Sequence, residues 1–112
     1  MGFSRAVRVG STIAVSGTAP IWPDGTVDPD PAVQARRCWE IALAGLAELG
    51  GRVEDVIRTR QYVVRADVAD AVGAVHGEVF GAVAPASTMV VVAGLLDPRW
   101  RVEVELDAVL DD

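Results

Sequence analysis

A chain of 112 residues, 51% of them hydrophobic, is one domain's worth of sequence, and a domain of this size buries roughly two-thirds of its unfolded surface without needing covalent staples. Cys38 is the only cysteine and His76 the only histidine, which excludes an internal disulfide, a multi-cysteine metal site and a pair of histidines sharing acid and base roles. The formal charge of −6, with no basic cluster interleaved with aromatics, argues against a nucleic-acid partner, and no apolar stretch approaches the ~20 residues of a membrane-spanning helix.

Met1 to Arg5 has no long apolar run behind it and no small-residue cleavage site, so a cytoplasmic protein is expected. Ser4 to Arg8 and Thr12 to Ser16 read as a hairpin across Gly10-Ser11. Pro20 to Gly25, with two prolines and an Asp-Gly pair, is a surface loop. Asp30 is an N-cap with Pro31 in the first turn, and Gly50-Gly51 stops the helix. Its apolar face is Ala35, Cys38, Trp39, Ala42, Leu46 and Leu49. A strand over Val56 to Val64 follows, then a helix over Asp67 to Phe80 with Val68, Val72, Val75, His76 and Val79 as its stripe, ended by Gly81. Strands over Ser87 to Val92 and Arg101 to Val109 complete the chain.

The order β-β-α-β-α-β-β predicts an α+β domain spanning residues 1–112, an open sheet with both helices on one face. The strand Thr88 to Val92 is apolar at both odd and even positions, whereas a half-exposed strand alternates. With no third helix to cover the second face, the simplest cover is another copy of the chain, and a homo-oligomer is expected.

The segments Arg5 to Gly10 and Val15 to Pro20, Val56 to Val63, Val75 to Phe80, Pro85 to Thr88 and Val102 to Glu105 occur in an order and spacing that resembles the Rid (YjgF, reactive-intermediate deaminase) family from Phe3 to Val109. The resemblance implies a chorismate-mutase-like fold assembled as a homotrimer, with clefts between subunits that take a small-molecule ligand. It also implies hydrolysis of reactive enamines and imines of amino acids without metal or organic cofactor. Other relatives of this kind are described as translation inhibitors or ribonucleases, a role to which the acidic chain lends no support.

In the arginine-bearing members a guanidinium directly after Pro-Ala clamps the substrate carboxylate through two charge-assisted hydrogen bonds. Here that position is Ser87, which removes the fork and its charge together; an efficient 2-aminoacrylate deaminase is therefore not expected. Phe3 stands where a tyrosine is frequent and Met89 where a cysteine occurs, so the cleft reads as more apolar. Glu103 matches the acidic residue that positions water and is the candidate catalytic group; Ser87, Gly17, Phe3 and Met89 are the candidate substrate-binding residues. Two other readings stay open: Glu103 on a solvated strand face with Arg101, Glu105 and Asp107, or cross-strand pairing of Glu103 or Glu105 with Arg58 or Arg60, which would lower the paired glutamate's pKa. His76 reads either as a general base or, from its apolar stripe, as a packed and hydrogen-bonded helix residue. Trp22 could lid a cleft, Trp100 could anchor an interface, and Arg5 or Arg101 could supply the missing cation. The alternative to an enzyme is a non-catalytic trimer that binds a small apolar molecule.

Overall fold

The computed structural model describes residues 2–111. Strands β1 (Ala6–Val9) and β2 (Thr12–Thr18) form an antiparallel hairpin, turned at Gly10, whose φ of 59° suits a residue without a Cβ. The first strand starts two residues later than its composition suggests and the second runs on through Gly17. Helix α1 (Pro31–Glu48) begins as read, with Asp30 Oδ1 accepting the Ala32 amide at 2.8 Å. Strand β3 (Val56–Val63) leads into a single 3₁₀ turn at Ala66–Val68, so that helix α2 (Ala69–Phe80) starts two residues later than Asp67. Strands β4 (Ala86–Val91) and β5 (Val102–Val109) each lie within a residue of expectation.

The sheet order is β1-β2-β5-β3-β4. All neighbours are antiparallel except β3 and β4, whose parallel pairing requires a crossover that α2 supplies. Strand β5 is central and strictly alternating: Val102, Val104, Leu106 and Ala108 are fully buried under the helices, while Glu103, Glu105 and Asp107 point the other way. Against that buried side α1 lays Ala35, Cys38, Trp39, Ala42 and Leu46. Cys38 is the buried small hydrophobe its helical position suggests, its thiol pushed up in pKa by burial. Trp39 is the hub between the helices, edge-on to Phe80 at 4.8 Å and to His76 at 5.9 Å between ring centroids.

The opposite sheet face carries an ion-pair and hydrogen-bond ladder instead of a core. Arg60 reaches Asp107 at 3.0 Å and Glu105 at 3.9 Å, and Tyr62 donates its hydroxyl to Glu105. Strand β4 is an edge, with Val90 43% and Val91 56% exposed, one on each face. That is the doubly apolar strand of the sequence: Met89 packs towards α2, while Val90 and Val91 remain exposed among the described residues. Among the described residues no helix is long and apolar enough to cross a membrane.

Candidate functional site

The register between β2 and β5 shifts at residues 16–17: Val15 pairs with Leu106, but Thr18, three residues on, pairs with Val104, two residues back. This bulge brings the Gly17 backbone against the Glu103 carboxylate, so closely that a Cβ at position 17 would collide with the carboxylate oxygen. Thr18 fixes the bulge. Its buried hydroxyl donates to Ser16 O and accepts from Arg5 Nη1, both at 2.8 Å, and Arg5 also reaches Gly17 O at 3.3 Å.

Around Glu103 opens a cleft of about 560 Å³ whose walls include Phe3, Arg5, Trp22, Arg37, Leu96 and Trp100. Arg37 bonds Ile21 O at 3.0 Å and lies 4.3 Å from the centre of the Trp22 ring, a cation–π contact that holds the proline-rich loop against α1. Gln34, fully buried, holds the second wall. Its amide donates to Asp28 O and Arg99 O, and its carbonyl accepts from Arg101 N at 2.7 Å. The indole N–H of Trp100 is buried and, among the described residues, has no hydrogen-bond partner.

Glu103 itself makes no hydrogen bond or ion pair among the described residues. Burial pushes its carboxyl above the ordinary glutamate range, Glu105 adds to the rise, and Arg5 opposes it. Of the cross-strand pairs considered, Glu105 with Arg60 occurs, at 3.9 Å, and Glu103 with either arginine does not: Arg60 is taken by Asp107 and Glu105, and Arg58 by Thr88. A half-buried, unpaired carboxyl held above its ordinary pKa can hold a water and exchange a proton with it.

Of the predicted site residues, Glu103, Gly17 and Phe3 come together in this cleft. Ser87 and Met89 do not. They sit on β4, beyond β3, opposite Thr59 and Gln61 and on the helix side of the sheet, the reverse of Glu103. Met89 packs towards α2 at Gly73. Ser87 is exposed, and its hydroxyl accepts from Thr59 Oγ1 at 2.8 Å. Of the two arginines considered as substitute cations, Arg5 lies in the cleft and Arg101 lines a separate hollow with Arg65 and Asp67. His76 is packed and hydrogen-bonded, as its stripe suggests, and burial lowers its pKa. Arg37, Gln34 and Leu96 were missed. Arg37 and Gln34 lie among the helix residues with no motif to mark them, and only the placement of the two loops gives them a role.

Gly17→Ala is expected to leave the fold intact, because the colliding atom is the tip of a flexible side chain, while displacing the Glu103 carboxylate. Circular dichroism should show a near-native melting curve, and any activity that depends on Glu103 should fall by about 10-fold or more.

Residues 1–110 match the family model described as endoribonuclease L-PSP. The chain is 39% identical over 108 residues to the Streptomyces coelicolor protein SCO2049, covering 96% of this chain and 81% of that one. Its fold superposes on the crystal structure of Mycobacterium tuberculosis Rv2704, a YjgF/YER057c/UK114 family member, with a TM-score of 0.89 and 37% identity, covering 97% of this chain and 87% of that one. It superposes on Escherichia coli TdcF with bound serine with a TM-score of 0.92 and 25% identity, covering 99% and 90% of the two chains. A family match over nearly the whole chain, a superposition at a TM-score of 0.89 and this degree of identity place the protein in the YjgF/YER057c/UK114 (endoribonuclease L-PSP) family.

Proposed function

We propose that this protein is a cytoplasmic, cofactor-independent deaminase that hydrolyses a small enamine or imine in a cleft completed between the subunits of a homotrimer. The observation that carries this reading is the half-buried Glu103 carboxyl, unpaired and raised in pKa, against the Gly17 bulge in a cleft of about 560 Å³. Within one chain the cleft lacks Ser87 and Met89, and β4, the strand that bears them, is an uncovered apolar edge. A second copy docking that edge would bring the two halves together. Serine bound to TdcF supports a ligand of amino-acid size.

In this mechanism Glu103 accepts a proton from water as the oxygen attacks the C=N carbon and passes it to the nitrogen, then carries the hydroxyl proton of the resulting carbinolamine to the same nitrogen as ammonia leaves. The balance is imine plus water to carbonyl plus ammonia, with no redox change. Phe3, Trp22, Leu96 and Trp100 make the walls largely apolar, and Ser87 replaces a bidentate cation with one neutral hydroxyl. The substrate is therefore more apolar than 2-aminoacrylate.

The test is ammonia release from a panel of imines generated in situ from amino acids. Imines of leucine and phenylalanine should be hydrolysed faster than 2-aminoacrylate. Failure to accelerate any of them would rule the deaminase out, and saturable ligand binding without turnover would select a non-catalytic small-molecule-binding trimer, the reading that the missing cation favours.

A further inference from the structure

The hydroxyl of Thr59 is fully buried and has two partners, Ser87 Oγ and His76 Nε2, each at 2.8 Å. A hydroxyl owns one proton, so it can donate to only one of them and must accept from the other. The two bonds are thus coupled. When His76 Nε2 carries a proton, Thr59 accepts from it and donates to Ser87, and the Ser87 proton is left to point outward. When Nε2 is bare, Thr59 donates to the ring, Ser87 turns its own proton inward, and an oxygen lone pair faces out. Protonated imidazole always carries the Nε2 proton, so protonation locks the first sense.

We infer that Ser87, Thr59 and His76 form a polarity relay by which the β4 edge binds a small carboxylate when His76 is protonated. The position lacks the guanidinium of a carboxylate clamp, and the relay puts a titratable cation two hydroxyls behind it. The contact deepens the proposed function, because Ser87 as a substrate contact rests on that reading. The relay is a property of the single chain, and its test needs no turnover.

The surroundings of His76 leave it free to act as the switch. Trp39 of α1 and Phe80 of α2 pack on its ring, and burial is the one influence that moves its titration. The charged groups of the packed elements are engaged elsewhere or lie outward. Arg36 of α1 pairs with Glu78 of α2, Arg37 with Glu40, Arg58 of β3 bonds Thr88, and Arg60 bonds Asp107. Glu48 and Asp70 are exposed at the helix ends. Strand β4 carries no charge.

As the only histidine, His76 gives a single set of imidazole NMR signals, which report its pKa and tautomer directly. Pyruvate is the probe, with pyruvamide as its uncharged counterpart. Pyruvate is expected to raise the His76 pKa by about half a unit and to bind about threefold more tightly at acid than at alkaline pH, the same linkage seen from its two sides. Pyruvamide should do neither.

Thr59→Val keeps the buried volume and breaks the chain, so its His76 should titrate without regard to pyruvate. His76→Gln keeps a donor that cannot titrate, so pyruvate binding, read on the Ser87 amide, should lose its pH dependence. Glu103→Gln, which the deaminase reading makes inactive, should keep the full pyruvate-linked shift. A His76 titration unchanged by pyruvate in the native protein, or an equal shift in Thr59→Val, overturns the relay and leaves the deaminase reading standing.

Discussion

Glu103→Gln is expected to lower kcat for imine hydrolysis by about 100-fold or more, the usual contribution of a positioned acid–base group. Glutamine has the same length and can still hold a water, but it cannot take a proton from it, so KM should change far less than kcat. The pH dependence carries a sign that can be worked out. Burial holds the Glu103 carboxyl above its ordinary value, so the base form appears at higher pH than for a free glutamate, and native kcat should rise through that raised pKa. The variant should lack that limb.

Stability moves in the opposite sense. A carboxyl with a raised folded-state pKa binds its proton more tightly in the folded protein. Its contribution is full below the unfolded pKa and is lost as pH rises through the folded one. Glutamine escapes that loss. The melting temperature of Glu103→Gln should match the native protein near pH 4 and exceed it by a few degrees at pH 8. Equal rates for native and variant in a coupled ammonia assay would remove Glu103 from the chemistry, and a lower melting point at pH 8 would mean that the carboxylate is satisfied after all.

Much of the fold was legible because its signals are local. The Asp30-Pro31 start of α1 needs only one turn of sequence to be read, and the alternation of Val102, Val104 and Leu106 with Glu103 and Glu105 needs only a period of two. Ends were less legible where local preference and pairing compete. Gly17 and Thr18 read as lying past the end of the strand, but β5 holds them in the sheet through a bulge that no residue of β2 announces. The site divides in the same way. Glu103 and Gly17 were identified by motif, yet their contact follows from the bulge register. Ser87 and His76 were each singled out, and what joins them is Thr59, which has no signature of its own and meets them through a parallel pairing and a helix 17 residues downstream. Hydrogen bonds across that distance have no periodicity to betray them.

Trp39→Ala is expected to cost about 3–5 kcal/mol, the range for removing a large buried aromatic. A domain of this size has roughly 5–15 kcal/mol in total, so the variant stands close to unfolding and its melting temperature should drop by roughly 12 °C or more. The reason is position: Trp39 is fully buried where α1 meets α2, and it is the edge contact for both Phe80 and His76. Trp39→Phe separates bulk from polarity. The indole N–H is buried with no partner among the described residues, a cost of about 1–3 kcal/mol that phenylalanine removes. The smaller ring leaves a void of comparable cost. These effects offset, and Trp39→Phe should lie within about 1 kcal/mol of the native protein. His76 reports the same difference from its other side: opening its ring edge to water in Trp39→Ala should return its pKa towards the ordinary histidine value, while Trp39→Phe keeps it lowered. A Trp39→Phe protein as unstable as Trp39→Ala would mean that the N–H, and not the bulk of the ring, holds the helices to the sheet.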